Sequence, residues 1–353
     1  MEKTLVRSGS MVPANTNRAV ILNPTTQHEQ NEIFTEAVIV EDEASESNNA
    51  PVFIGANTRA VTLEQLKRDY IIPVFAKDNQ ECISHNAFIS TVYEAVMDYY
   101  RNESILEPQI RASHIVKGRR PHAAGKRADR LRPTDITQYY ERSIFAIQIP
   151  SIYDEINGNR LNLSIVGCKA YNRDNLSGRL TEQKFSVAVG FNNQVCQNQC
   201  IFTDGLKHTI LASNTGTIYT QVLDLLDRFN IIDSFRKLES LNNVNLSEHQ
   251  FCEILGKLRL YNYLDQRRRK QIPSIDVTDA QLNSVASGFV SDVNFKGGTS
   301  GITMWNFYNL LTGSNKKNYI DTFLPRATTA TELSIGLADT IKGVDPKYSW
   351  FIQ

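Results

Sequence analysis

The sequence lacks any hydrophobic run long enough to cross a bilayer, because no window approaches the roughly 18 consecutive apolar residues that a membrane helix requires. Cysteine is also scarce: there are five in 353 residues, an odd number, and no apolar signal segment stands at the start of the chain. Scattered cysteines of this kind are typical of a reducing compartment. We therefore expect a cytoplasmic protein that makes no contact with membranes.

The signatures of common enzymes are missing as well. The chain has no Gly-x-Ser-x-Gly and no His-Glu-x-x-His, and no histidine stands in a recognisable triad context. The glycine-rich segment 296–301 lacks the Gly-Lys-Ser/Thr ending of a nucleotide-binding P-loop. We expect neither ATP binding nor another cofactor nor a bound metal, and a non-enzymatic protein is favoured.

Charge is balanced overall, at 38 Lys plus Arg against 38 Asp plus Glu, but it is unevenly distributed. Residues 19–58 contain no Lys or Arg and carry seven acids: Glu29, Glu32, Glu36, Glu41, Asp42, Glu43 and Glu46. Such a segment cannot bury enough apolar surface to offset the entropy of ordering it. We predict an unstructured acidic N-terminal arm over residues 1–50, in which residues 34–41 are suited to add a short strand.

The remaining residues, 51–353, are predicted to form one α+β domain, with a helix and sheet part to residue 212 and a helical part from 213. Alternation of apolar and polar residues predicts an antiparallel meander of four strands at 143–149, 161–171, 184–191 and 194–202. Helical spacing predicts helices at 62–70, 84–101, 216–234, 247–260, 277–291, 303–312 and 329–342. We expect the helices to cover one face of the sheet.

The strongest local signal is a basic segment between residues 111 and 132, which has eight Lys or Arg and one acid. Glycines and prolines interrupt it, so we predict a loop. Its guanidinium groups are suited to a phosphate backbone, and the two tyrosines that follow are suited to stacking on bases. A solvated loop, or an ion-pair partner of the arm, is the alternative. The predicted nucleic-acid contacts are Arg111, Lys117, Arg119, Arg120, Lys126, Arg127, Arg130, Arg132, Tyr139 and Tyr140.

Two further basic features join this prediction. A second cluster follows a helix end, where cations also balance the helix dipole: Arg267, Arg268, Arg269 and Lys270. Lys296 opens the glycine-rich segment before a predicted helix, and a helix N-terminus favours anions. A flexible connection is the alternative interpretation of this segment.

One pattern suggests catalysis. Asp174, followed by Glu182-Gln183-Lys184 at the start of a strand, resembles the metal-binding core of restriction-type nucleases. In such sites two carboxylates hold Mg²⁺ and a lysine steadies the attacking water. The alternative catalytic residues are therefore Asp174, Glu182 and Lys184. A short motif of this kind also arises by chance at a charged strand start.

Several longer segments carry a resemblance to a known family: IIPVFAKDN (71–79), ISHNAFI (83–89), IRASHIVKGRRP (110–121), YYER (139–142), EINGNRLNLSIVGCKAYN (155–172), VGFNNQVCQNQC (189–200) and WNFYNLLTGSNKKNYID (305–321). They resemble a bacterial family known as domain of unknown function 3871, common in mobile elements of Bacteroidota. VCQN and WNFYNLLT also resemble pieces of a broader phage- and plasmid-type family. The resemblance runs from Phe53 to about Leu337 and leaves the arm outside. It implies a context in which proteins handle DNA, and it brings no catalytic residues.

We therefore expect a non-enzymatic nucleic-acid-binding accessory protein of a phage, plasmid or conjugative element, with single-stranded DNA as its partner. One alternative is a metal-dependent nuclease. Another is a protein-interaction module that acts against a host defence factor, with the basic segment meeting an acidic protein partner. The seven acids of the arm nearly balance the excess of seven cations in 111–132. An arm of this charge is suited to occupy that segment in place of phosphates, and ordinary disorder without a regulatory role is the alternative.

Overall fold

The computed structural model describes residues 38–39, 52–55, 57–70, 82–174 and 182–352. The strands in these ranges are β1 (Val38–Ile39), β2 (Arg59–Val61), β3 (Gln109–Ala112), β4 (Ile115–Arg119), β5 (Ile136–Tyr140), β6 (Arg142–Ile156), β7 (Asn159–Ala170), β8 (Gln183–Asn193), β9 (Gln199–Ala212), β10 (Asn245–Leu246) and β11 (Ile302–Thr303). The helices are α1 (Leu63–Arg68), α2 (His85–Tyr99), α3 (Thr215–Arg228), α4 (Ile231–Ser240), α5 (Glu248–Tyr261), α6 (Gln266–Arg269), α7 (Asp279–Ser291), α8 (Met304–Asn315) and α9 (Ile320–Ile341). The predicted α+β class is confirmed.

The main sheet is antiparallel and has six strands in the order β2-β3-β6-β7-β8-β9. Its last four strands are the predicted meander, and β2 and β3 extend it beyond the four strands expected. A turn at Asn157 and Gly158, both at positive φ, joins β6 to β7. The fourth strand was predicted too early. Residues 194–198 form a turn, which Asn193 closes by accepting from the Val195 N–H at 3.0 Å.

The sheet is buried on both faces, which corrects the expectation that helices cover one face. Phe145 and Val187 face a large core that includes Phe88 of α2 and Val222 of α3. The neighbouring residues in each strand face the other way, because successive side chains alternate. This second face packs against α9: Ile144, Ala146, Val166, Ala188 and Ile201 meet Phe323, Leu324 and Ala327. Strands covered on both sides are apolar almost throughout, which explains their continuous hydrophobic runs.

Two predicted helices have different bounds in the structure. The helix predicted at 216–234 is two helices, α3 and α4, because the Asn230 side chain accepts the Asp233 N–H and starts a new helix. The helix predicted from 329 begins at Ile320 and runs through Pro325. Pro325 cannot donate to the carbonyl of Asp321, and the Arg173 guanidinium donates to that oxygen instead. Among the helices that the structure describes, none combines the length and apolar character of a membrane span.

A smaller sheet of three strands, in the order β1-β4-β5, contains residues 115–119 of the basic segment. The prediction that 111–132 is a loop is therefore wrong in part. Ile115 and Val116 are buried and pair with β5, and only residues 120–135 are loop with short 3₁₀ turns. On its other edge β4 pairs with β1, which lies inside the segment predicted to add a strand. The rest of the predicted arm, 1–37 and 40–50, lies outside the described residues.

Candidate nucleic-acid interface

The basic hairpin, which we define as residues 115–140, is organised around one buried carboxylate. Asp135 has an exposed side-chain fraction of 3% and accepts hydrogen bonds from Lys126 Nζ and His122 Nε2, both at 2.8 Å. It also accepts the backbone N–H of Arg132 at 2.8 Å. The hydrogen bond from Lys126 is the main reason that the pKa of Asp135 lies well below its ordinary value. Asp135 is therefore ionised and ties the loop to the start of β5.

Several of the predicted contact residues serve the fold of this region. Arg119 donates to the backbone carbonyls of Ala124 at 3.3 Å and Lys126 at 2.6 Å, and so fastens the loop to β4. Arg111, on β3, donates to the hydroxyl and carbonyl oxygens of Thr58 at 3.1 and 2.7 Å. These guanidinium groups carry positive charge, but each already donates two hydrogen bonds to protein oxygens. Their removal would disturb the scaffold as well as the charge.

Three other cations of the basic hairpin point to solvent: Arg127, Arg130 and Arg132 are exposed. Arg127 lies 3.7 Å from Asp129, but the side chains are 79% and 68% exposed, so the pair is weakly coupled. Within the described ranges, no carboxylate lies within ion-pair distance of Arg130 or Arg132. Lys117 on β4 and Arg120, directly after it, are half-buried. The hairpin thus presents three exposed guanidinium groups, which are suited to phosphate recognition.

The two tyrosines of β5 differ in exposure. Tyr140 is 2% exposed, its ring lies 4.1 Å from that of Tyr70, and its hydroxyl donates to the Tyr70 hydroxyl. It supports the core and is not accessible to a base. Tyr139 is half-buried against the edge of Tyr171 at 5.8 Å, and burial raises the pKa of its hydroxyl to about 12. Tyr139 is therefore the one of these two that retains an exposed part for stacking.

The second basic cluster lies on α6 and the residue after it. Arg267, Arg268 and Lys270 are exposed. Arg269 stands 5.4 Å from the centre of the Tyr261 ring and donates to the Asn262 carbonyl, so it has a structural role. Among the residues that the structure describes, no hydrogen bond or ring contact of this cluster reaches the basic hairpin. The structure therefore does not join the two clusters into one site through direct contacts.

The glycine-rich segment after Lys296 is a tight turn in which packing requires two of the three glycines, Gly297 and Gly301. A Cβ at Gly297 would lie 2.2 Å from the Phe289 ring, and a Cβ at Gly301 would lie 1.9 Å from the Leu246 carbonyl oxygen. Gly301 also has a φ of +117°, which favours glycine. The Thr303 side chain already caps α8. Packing thus accounts for Gly297 and Gly301 without an anion, although Lys296 itself is exposed.

The possible nuclease residues do not converge on a metal site in the described part of the chain. The Asp174 side chain is 1% exposed and accepts from Lys169 Nζ at 3.1 Å and from the Lys184 backbone N–H at 2.8 Å. Glu182 and the Lys184 side chain are exposed. Within the described ranges, no three His, Cys, Asp or Glu residues are grouped to hold a metal. The Asp174 carboxylate is already committed to a lysine inside the protein.

Sequence reasoning missed this buried polar cluster, which we define as Lys169, Asp174 and Gln183. Lys169 Nζ donates to Gln183 Oε1 at 3.2 Å and lies 4.0 Å from the centre of the Phe185 ring. Burial lowers the pKa of Lys169. In the sequence, this cluster was indicated by the position of Lys169 in an otherwise apolar strand, because a buried lysine needs a partner. The cluster is a structural pairing of charges.

A second missed feature is a network of buried amides. Asn193 Nδ2 donates to Asn309 Oδ1 at 3.1 Å, and Asn198 Nδ2 donates to the Asn309 carbonyl at 2.9 Å. Asn309 in turn donates to the Trp305 carbonyl at 2.9 Å. The network joins the turn before β9 to α8. It thereby connects the segments VGFNNQVCQNQC and WNFYNLLT, whose repeated asparagines were the signal in the sequence.

The sequence model of a family described as "Domain of unknown function, B. Theta Gene description (DUF3871)" covers residues 33–352, nearly the whole chain. The match begins earlier than the expected start at Phe53, so the end of the arm, including β1, lies inside the family's domain. No curated protein and no solved structure matches the chain significantly.

Proposed function

We propose that this chain, which belongs to the family of domain of unknown function 3871, is a non-enzymatic nucleic-acid-binding accessory protein of a phage, plasmid or conjugative element. The observation that supports the proposal is the set of exposed guanidinium groups on the basic hairpin: Arg127, Arg130 and Arg132. They stand on a loop held by a buried carboxylate, so their positions are organised before a ligand binds.

Phosphate is the ligand chemistry that this surface fits. A guanidinium offers several N–H donors in a plane and retains its charge at all physiological pH values. Each phosphate that it neutralises releases condensed counterions, which gives binding a strong dependence on salt. Single-stranded DNA is the proposed form, because the partly exposed Tyr139, on the same hairpin as the cations, can stack on an unpaired base. The exposed cations of α6 are a second, separate contact in this proposal.

The test is a salt series of binding to labelled single-stranded and duplex oligonucleotides, measured by fluorescence anisotropy. The variant Arg127→Ala/Arg130→Ala/Arg132→Ala removes the three exposed cations and leaves those that hold the scaffold. Each lost contact should reduce the slope of log K against log salt by about 0.7 to 0.9, so the triple variant should lose about 2 to 3.

A matched control removes three exposed arginines elsewhere. Arg68, Arg101 and Arg228 have side chains that are 74%, 77% and 54% exposed, and their replacement by Ala changes the net charge equally. Its salt slope should stay that of the unchanged protein. Equal slopes for the two triple variants would show that binding depends on net charge and not on the hairpin. Absence of nucleic-acid binding at low salt would leave an acidic protein as the partner to examine.

The nuclease alternative makes a separate prediction. It requires Mg²⁺-dependent degradation of labelled DNA that Glu182→Ala abolishes. The non-enzymatic proposal predicts intact DNA after incubation with Mg²⁺ for both proteins. The commitment of Asp174 to Lys169 supports the non-enzymatic proposal, because a metal would have to displace a buried ammonium group.

A further inference from the structure

A group of carboxamides lies on the main sheet, at the end that carries the turns from β6 to β7 and from β8 to β9. The strand registers set Asn162 of β7, Asn192 of β8 and Gln199 of β9 directly opposite one another, so their side chains share one face. Further along the strands the same face packs against α9 through Ala188 and Ile201. A hydrophobic face thus becomes polar at this end of the sheet.

Polar atoms of two of these side chains have no hydrogen-bond partner. Asn192 is 0% exposed and Gln199 is 2% exposed. Among the residues that the structure describes, none hydrogen-bonds to Asn192 Nδ2 or to either polar atom of the Gln199 side chain. An unpaired polar atom in the interior costs free energy, and most buried carboxamides avoid it. Two neighbouring side chains in this state are suited to a ligand that supplies the missing partners.

A side chain from the turn 194–198 already fills one part of this region. Gln194 Nε2 donates to Asn192 Oδ1 at 2.8 Å and to Gln148 Oε1 at 2.9 Å. The amino group of Gln194 therefore occupies two acceptors, while the donor of the same Asn192 carboxamide has no partner within the described ranges. We define the carboxamide site by the four side chains that meet here: Gln148, Asn192, Gln194 and Gln199.

We propose that the carboxamide site binds an adenine base, which replaces the side chain of Gln194. Adenine presents an amino group, N6, beside a ring acceptor, N7, and the carboxamide of an asparagine pairs with both at once. Asn192 offers this pair: its Oδ1 accepts an amino group from Gln194, and its Nδ2 is an unused donor. Gln199 stands opposite it on β9 with a further donor and acceptor.

The site is closed until Gln194 moves, because Asn192 and Gln199 are buried beneath the turn. Gln194 is half-buried and Val195 beside it is 43% exposed, so the Gln194 side chain can rotate outward to solvent. The same turn holds Gln197 at a φ of +59°, a conformation that costs free energy for a residue with a side chain. Displacement of the turn therefore disrupts a segment that is less stable than the strands.

The position and charge of the site separate it from the basic hairpin. The hairpin joins β6 at its first residue, Arg142, whereas the carboxamide site lies toward the other end of that strand. The four side chains of the site are uncharged, so they suit a base and not a phosphate. The inference thus goes beyond the function proposed above, and adenosine, which has no phosphate, tests it alone.

Titration calorimetry with adenosine and inosine measures the recognition of the amino group. Inosine has a carbonyl where adenosine has the amino group, so it places an acceptor against the acceptors of Asn192 and Gln148. We expect adenosine to bind at least about tenfold more tightly. Equal affinities, or no binding of adenosine at millimolar concentration, would overturn the adenine site.

Two variants of the turn test the displacement. Gln194→Ala removes the side chain that adenine must replace, and it should tighten the binding of adenosine by about three- to tenfold. Val195→Ala changes the next residue, which has no polar side-chain group, and should leave the affinity unchanged. Unchanged or weaker binding to the Gln194 variant would contradict the proposal. Asn192→Leu preserves size, removes both polar atoms and should abolish binding; if it fails to fold, the two turn variants still decide.

Single-stranded oligonucleotides of dA and of dT distinguish the source of the base. Tighter binding of the dA oligonucleotide, lost in Asn192→Leu, would assign the site to nucleic acid. Equal binding of the two, with adenosine binding intact, would assign it to a free adenine nucleoside. If neither oligonucleotide binds, the function proposed above fails, and the adenosine titration still decides whether the carboxamide site takes adenine.

Discussion

Two pairs of opposite charges in this molecule have contrasting surroundings. Lys169 and Asp174 lie 3.1 Å apart in the main sheet, with side chains 0% and 1% exposed. Arg127 and Asp129 lie 3.7 Å apart on the basic hairpin, with side chains 79% and 68% exposed. The buried pair must remain together, because each charge has lost its hydration and is stabilised by the opposite charge instead. The exposed pair is hydrated, so its cation stays available to a ligand. Burial, and not residue type, separates a structural charge from a candidate contact.

The largest effect should follow from breaking the buried pair. Lys169→Met leaves Asp174 as an uncompensated buried carboxylate, and we expect a loss of about 3–5 kcal/mol in the free energy of unfolding. Arg127→Ala should change that free energy by less than about 0.5 kcal/mol. Urea denaturation of both variants measures the difference. Similar small losses in the two variants would contradict the distinction between the pairs.

A pH experiment tests the same core through His85. His85 Nε2–H donates to the Tyr140 carbonyl at 2.8 Å, its Nδ1 accepts from the Ser143 hydroxyl at 2.7 Å, and burial lowers its pKa to about 3. Between its unfolded pKa of about 6.5 and this value, the unfolded chain binds a proton that the folded protein does not. The free energy of unfolding should therefore decrease as the pH is lowered through this window, by about 2 kcal/mol from pH 7 to pH 5.

The control for this prediction is His85→Gln, which keeps a donor for Tyr140 and removes the titration. Between pH 7 and pH 5 this variant should lose about 2 kcal/mol less stability than the unchanged protein does. Urea denaturation at each pH measures the difference. His114, whose pKa burial also lowers, acts in the same direction and remains in both proteins. An unchanged pH dependence in the variant would show that His85 is not the group responsible.

A smaller loss should follow from opening the amide network. Asn309→Ala removes the side-chain acceptor of Asn193, and a buried donor without a partner costs roughly 1 to 2 kcal/mol. Asn306 is half-buried one turn earlier in α8 and provides a control of the same residue type. Thermal or urea unfolding should show a smaller change for Asn306→Ala. The network would not be a structural determinant if the two substitutions had the same effect.

The smallest expected effect concerns binding and separates charge from organisation within the hairpin. Asp135→Asn removes a negative charge, which by electrostatics alone would strengthen binding to a polyanion. It also weakens the contacts with Lys126 and His122 that hold the loop. We expect binding to a single-stranded oligonucleotide to weaken about two- to fivefold, since disordered arginines lose more entropy on binding. Tighter binding would mean that the loop needs no organisation before the ligand arrives.

Local patterns predicted most of the regular structure. The alternation in β6 to β8 and the helical spacing in α2 and α5 are each decided by a few adjacent residues, and these elements are present in the structure. The predicted bounds are wrong where residues distant in the chain determine the structure. The start of β9 depends on the turn held by Asn193, and the passage of α9 through Pro325 depends on Arg173, which lies about 150 residues earlier.

The sequence by itself determined the α+β class, the family, and the position of the basic segment, because each depends on residue type and order along the chain. Only the tertiary structure decided which charges are available. Arg111 and Arg119 donate to backbone oxygens, Tyr140 is buried, and Asp174 is paired with Lys169. The pairing of the acidic arm with the basic strand likewise depends on a contact between residues far apart in the chain. Charge is a property of the residue, but its exposure and its partner are properties of the fold, since both depend on what packs beside it.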